Sequence, residues 1–115
     1  VKSMKVIGYL RVSTDQQTES GLGLEAQKKA IEDYASKKGL LIAAFYQDEG
    51  ISGSLSLDKR LGILNAISAL EKGGILAIAK RDRLGRDPFI VAMIEAAIER
   101  KGGQIISAAG EGTDN

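Results

Sequence analysis

Apolar and polar residues fall into alternating blocks along this chain, and the period of each block predicts its structure. Residues 5–12 are a hydrophobic run that ends in a polar stretch, the pattern of a first strand. Leu24, Ala26, Ala30, Ile31 and Tyr34 recur near helical spacing and predict a helix over residues 24–38, stopped by Gly39. Residues 40–46 are almost continuously apolar, as expected of a strand buried on both faces. Residues 47–57 are mostly polar, carry Gly50 and Gly53, and predict a loop. Leu61, Leu64, Ile67, Ala69 and Leu70 predict a second helix over residues 58–72, ended by Gly73 and Gly74. A third strand over residues 75–79 leads into a charged connection, residues 80–86. Asp87 suits a helix cap and Pro88 a first turn, so a third helix runs from there to about Arg100. Gly102 and Gly103 stop it, residues 104–108 form a fourth strand, and residues 110–115 read as a loose tail.

Strands separated by single helices imply right-handed crossovers and a parallel sheet covered on both faces. The expected fold is α/β: a three-layer, doubly wound domain with a mostly parallel central sheet of about four strands. In such sheets ligands bind beyond the carboxyl ends of the strands. A length of 115 residues suits one domain with a modest core. No apolar run approaches the roughly 20 residues that cross a bilayer, so no membrane partner is expected. Val1, Lys2 and Ser3 ahead of Met4 look like a remnant rather than a secretory signal. The abrupt end after the fourth strand suggests a fragment of a longer protein.

Cysteine and histidine are both absent. Without cysteine there is no disulfide framework, which suits a reducing cytoplasm, the expected location. Without histidine a Ser-His-Asp triad cannot form within the chain. Zinc loses its two favoured ligand types, and thiolate catalysis is excluded. Oxygen-ligated metals such as magnesium stay open through Asp and Glu, although no metal or cofactor is assigned to the site. A nucleophile must be a hydroxyl, amine or carboxylate, helped by Arg, Lys, Asp, Glu, Gln or the backbone. The net charge of +1 rules out a generally basic nucleic-acid binder, so any positive charge for DNA must be local.

Three polar clusters sit at or after strand ends, on the edge where ligands bind. Arg11 and Ser13 are two apart on the first strand and point to the same side, a hydroxyl beside a fixed positive charge. Asp48, Ser52 and Gly53 follow the second strand. Lys80, Arg81, Asp82, Arg83, Arg86 and Asp87 follow the third, with Arg83 and Arg86 one helical turn apart. Arginine offers a planar fork of donors that matches phosphate oxygens. Each cluster alone has an ordinary reading. Ser13 could satisfy backbone groups, the arginines and aspartates could pair on the surface, and Gln27 and Arg60 could face solvent. Together they point to a nucleophile beside an anion.

Those residues resemble the N-terminal catalytic domain of the serine recombinases, the resolvase/invertase family. Tyr9-Leu10-Arg11-Val12-Ser13-Thr14, followed by Gln17, resembles the family's nucleophile motif. Asp82-Arg83-Leu84-Gly85-Arg86-Asp87 resembles its arginine-bearing motif, and Gln27, Asp48, Ser52, Gly53 and Arg60 fall between them in family order. The resemblance runs from about Met4 to Ala108. It implies a site-specific DNA recombinase in which Ser13 attacks a DNA phosphodiester, forms a transient 5′-phosphoserine link, and is released when the strands are exchanged and rejoined. Arg11, Arg83, Arg86 and Arg60 would stabilise the phosphoryl charge. Asp82 would assist proton transfer or orient arginines, and Gln27, Asp48 and Ser52 would support the site. The partners implied are double-stranded DNA and, in the full-length protein, further copies forming a homodimer and tetramer. Family members continue into a long dimerisation helix and a DNA-binding region, so residues 1–115 are expected to be inactive in recombination alone. The competing reading is a non-enzymatic, receiver-like regulatory or interaction module. Such a site wants clustered carboxylates at the end of the first strand, where this chain has Arg11 and Ser13.

Overall fold

In the computed structural model, described over residues 5–12, 23–49, 60–85 and 87–110, each hydrophobic block becomes a strand or a helix. The strands are β1 (Lys5–Val12), β2 (Leu41–Glu49), β3 (Ile75–Ile78) and β4 (Gln104–Ser107). The helices are α1 (Leu24–Lys38), α2 (Leu61–Ala69) and α3 (Pro88–Arg100), with one 3-10 turn at Arg81–Arg83. All strand pairs are parallel, in the order β2-β1-β3-β4. The expected doubly wound α/β sheet is therefore present.

Alternation along β1 sorts its side chains between two cores. Ile7 and Tyr9 join Leu76 and Ile78 of β3 against Ile63 and Ala66 of α2 and Ile90, Ile94 and Ile98 of α3. Val6 and Leu10 join Ile75 and Ala77 against Ile31 of α1. Helix α1 thus covers one face, and α2 and α3 the other. The chain reverses its winding direction between β1 and β3, and the crevice beyond their carboxyl ends is the topological switch point.

Local chemistry sets the helix ends. Asp87 caps α3, its Oδ1 accepting from the Phe89 N–H at 2.9 Å, and Pro88 occupies the first turn, both as expected. Gly39 ends α1 at φ 71°, a left-handed conformation that costs glycine little. Helix α2 is shorter than its apolar pattern suggests. Leu70 leaves the helix with φ −68° and ψ 139°. The Lys101 ammonium, from the end of α3, donates to the Ile67 and Ser68 carbonyls at 3.1 and 3.0 Å. A cation on the last carbonyls of a helix satisfies acceptors that another turn of helix would otherwise use.

Three expectations need correction. Strand β2 is an edge strand of alternating burial, not one buried on both faces, because β1 pairs with it on one side only. It also runs on to Glu49, so Asp48 lies in the sheet rather than in a loop. Leu64, Ile67 and Ala69 of helix α2, and Leu70 just after it, pack against the core as expected, but the helix's most buried residues are Ile63 and Ala66 beside Gly62, and Leu61 is exposed. In α1, likewise, Ala26 is exposed and Gln27 is buried. The predicted tail beyond Gly110 lies outside the described residues, as do residues 50–59. No helix among the described residues is long and apolar enough to cross a membrane.

Two residues of α3 provide a contrast in stability. Ile94 is fully buried, so Ile94→Ala is expected to cost about 2–5 kcal/mol in urea unfolding. Phe89 is 81% exposed, so Phe89→Ala is expected to stay within about 0.5 kcal/mol of wild type.

Candidate active site

Strand β3 runs beside β1 only as far as Gly8. Beyond it, side chains replace the missing strand at Arg11. The Gln27 carboxamide accepts from the Arg11 N–H at 3.2 Å and donates to the Arg11 carbonyl at 3.1 Å. The same carbonyl accepts from Arg83 Nη1 at 2.8 Å. Arg11 returns the contact: its Nε donates to the Arg83 carbonyl at 2.9 Å and its Nη2 to the Asp82 carbonyl at 2.8 Å. Each of these two arginines therefore grips the other's backbone, and the end of β1 is tied to the turn after β3.

A second network adjoins the first. Arg11 is in register with Asp48 of β2. Asp48 Oδ2 accepts from the Tyr9 hydroxyl at 2.7 Å, and that hydroxyl accepts from Arg60 Nη2 at 3.0 Å. Arg60 Nη2 also lies 3.4 Å from the Arg83 carbonyl. The Arg60 guanidinium is 5.7 Å from the Tyr9 ring centroid, a cation–π distance. Arg60 is fully buried, and among the described residues its Nε and Nη1 have no hydrogen-bond partner. Asp48 also accepts from the first turn of α2, through the N–H groups of Gly62 at 2.7 Å and Ile63 at 3.1 Å.

Arg11, Arg60 and Arg83 are thus packed together with almost no exposure. Burial, with Arg83 and Arg60 close by, pulls the Arg11 guanidinium down to about 10, so it remains charged at neutral pH. Burial also pushes the Tyr9 phenol above its ordinary range, against the pull of Arg60. Burial would raise the Asp82 carboxyl, but its hydrogen bond from Arg83 and the positive charges of Arg83, Lys80 and Arg11 outweigh that and hold it below 3.8. Among the described residues no group of three or more acidic side chains could hold a metal ion.

Six expected site residues therefore converge: Arg11, Gln27, Asp48, Arg60, Asp82 and Arg83. Ser13, Ser52 and Arg86 lie outside the described residues. The charged connection after β3 divides. Arg83 turns inward and bonds Asp82 Oδ1 at 2.9 Å, whereas Arg81 pairs outward with Glu95. Two participants were missed as site residues: Tyr9 and Gly62. Tyr9 was detectable, since it stands two positions before Arg11 on one strand and so shares its face. Gly62 gave no signal beyond being a glycine early in a helix. A Cβ there would lie 2.3 Å from the Gln47 carbonyl oxygen, so only glycine lets α2 approach β2 this closely.

A parallel α/β domain with guanidinium groups gathered at its switch point is a frame for anion chemistry. Residues 6–115 match the family described as Resolvase, N terminal domain. The chain belongs to this family, that of the catalytic domains of serine recombinases. It is 36% identical over 85 residues to the transposon Tn2501 resolvase of Escherichia coli, a match covering 72% of this chain and 39% of that protein. It is 33% identical over 84 residues to the transposon Tn3 resolvase of Escherichia coli, covering 73% and 39%. The chain thus spans well under half the length of these curated relatives. Among solved structures, it resembles the N-terminal catalytic domain of TP901-1 integrase with a TM-score of 0.78 and 26% identity, covering 91% of this chain and 78% of that one. A resolvase family site-specific recombinase from Streptococcus pneumoniae shares the fold, with a TM-score of 0.74 and 24% identity over 98% of this chain and 79% of that one.

Two expected outcomes follow from this geometry. Gly62→Ala forces backbone apart and is expected to cost about 1–3 kcal/mol in chemical denaturation. Asp82 is held below its unfolded value, so its ionised form stabilises the fold at pH values above 3.8. That contribution disappears as pH falls through the depressed folded value. The stability gap between wild type and Asp82→Asn is therefore expected to be full near neutral pH and to close on acidification below 3.8.

Proposed function

We propose that this domain cuts and rejoins double-stranded DNA through Ser13. The Ser13 Oγ attacks a backbone phosphorus, an O–P bond forms, and the bond from phosphorus to the 3′ oxygen breaks. The serine proton leaves Oγ, and the departing oxygen gains a proton to become a 3′ hydroxyl. After strand exchange that hydroxyl attacks the phosphoserine, the O–P bond to Ser13 breaks, and the phosphodiester is restored. Covalent catalysis divides the reaction into two reversible transfers, and the link conserves the diester's free energy, so no ATP is used. In the full-length protein the reaction belongs to a dimer that pairs into a tetramer.

The observation that carries the proposal is the charge balance at the switch point. Arg11, Arg60 and Arg83, with Lys80 acting on Asp82, outnumber the two carboxylates Asp48 and Asp82, which leaves positive charge in excess. A phosphodiester brings one negative charge, and stabilising its growing negative charge is the main task of a phosphoryl-transfer site. Ser13 follows Val12 at the end of β1, two residues after Arg11. Arg86, three residues after Arg83, adds a further guanidinium. Asp82 is bonded to Arg83 and orients it. Gln27 fixes the backbone from which Arg11 departs, and Ser52 supports the site from the chain after β2.

Full-length protein carrying Ser13→Ala is expected to bind recombination-site DNA but to form no covalent adduct. Radiolabelled DNA on a denaturing gel gives the answer, and an adduct that persists in the variant overturns the assignment. Arg86→Ala is expected to lose at least about a hundredfold in adduct formation with unchanged thermal unfolding, in line with removal of one oxyanion-stabilising donor.

A further inference from the structure

One carboxylate reaches the Arg60 guanidinium by two short routes. The first runs through the backbone. Arg60 immediately precedes α2 and is its N-terminal flanking residue, yet it supplies no side-chain cap, and no acidic residue lies in the first turn. Asp48 provides that cap from β2, accepting from the N–H groups of Gly62 and Ile63. These are donors that a helix start leaves unpaired, and a negative charge there also suits the helix dipole. The second route runs through Tyr9, whose hydroxyl donates to Asp48 Oδ2 and accepts from Arg60 Nη2. Asp48 itself is 7% exposed, and no direct bond joins it to Arg60 among the contacts described.

We propose that Asp48 is a positioning residue for Arg60, acting through the first turn of α2 and the Tyr9 hydroxyl. The need for it is physical. A fully buried guanidinium with Nε and Nη1 unpartnered has few bonds of its own to hold it. Its location must come from the backbone that carries it, from the Tyr9 hydroxyl and from the longer contact to the Arg83 carbonyl, and Asp48 fixes the first two. The close approach at Gly62 completes the device, because a Cβ there would also meet the Asp48 side chain, 2.8 Å from its Cγ. The claim rests on Arg60 serving the proposed DNA phosphoryl transfer, and it assigns Asp48 no contact with the substrate.

The test is a double-mutant cycle on adduct formation in the full-length protein, with Asp48→Asn as a near-isosteric change. Asp48→Asn is expected to slow adduct formation about tenfold when Arg60 is present and less than about twofold in an Arg60→Ala background. Gly62→Ala displaces the same turn and presses on the Asp48 side chain while leaving its charge in place, and is expected to show the same dependence on Arg60. Losses that multiply independently overturn the proposal, since general destabilisation or an independent catalytic role would act equally in both backgrounds. A second arm needs no DNA. In nitrogen-edited NMR spectra the Arg60 Nε–H resonance is expected to shift or broaden in Asp48→Asn, and an unchanged resonance overturns the positioning role. Should the wild type form no adduct with DNA, the recombinase reading fails, while the spectra still decide whether Asp48 holds Arg60.

Discussion

The reciprocal grip between Arg11 and Arg83 is the constraint on which the rest of the site depends. Two like charges would repel at this separation, and burial would sharpen the repulsion. They coexist because each guanidinium donates to the other's carbonyl, so a dipole of opposite sense lies beside each charge. The arrangement needs the two chain ends side by side, and the sheet order supplies that by placing β1 next to β3. Fold and site are thus one requirement: without parallel pairing of β1 and β3, the arginines would have no carbonyls to share.

Hydrogen bonding then spreads outward. Gln27 completes the Arg11 backbone, and Tyr9 links Asp48 to Arg60. Most of the side chains involved are buried and polar, and a half-satisfied network of that kind would be costly. The unpaired donors of Arg60 and the lowered Arg11 mark where the cost is concentrated. Perturbed and partly unsatisfied polar groups of this kind cluster at functional sites.

Much of this was legible in the sequence, for identifiable reasons. The βαβ alternation fixed the sheet, because the period of the hydrophobic pattern changes from run to run and glycines mark the breaks. The site cluster was legible because Arg11, Asp48, Asp82 and Arg83 all lie at strand ends or just after them, which one topology brings together. What escaped was decided by tertiary contact. The centre of the buried face of α2 was not legible because it lies around Gly62, which has no side chain, is invisible to a hydrophobic pattern and yet allows the closest packing. Gln27 was given no burial because its partner is the backbone of another element, and Asp48 was assigned to a loop because its polarity outweighed the strand before it. Leu61 and Ala26 show the converse, apolar residues that the same packing leaves outside.

The Gln27 and Asp48 contacts have a further consequence. Residues 13–22 start one position after Val12 and stop at Gly23, four residues before the glutamine that is bonded to Arg11. Residues 50–59 start just after Glu49 and stop at Arg60, two residues before the amide held by Asp48. Each contact therefore holds the start of a helix against the end of the strand before it, α1 against β1 through Gln27 and α2 against β2 through Asp48. The entropy of closing a loop grows only logarithmically with its length. These contacts, rather than the length of the chain between, set how far each helix start lies from its strand end, so the arginine geometry is carried by the elements themselves.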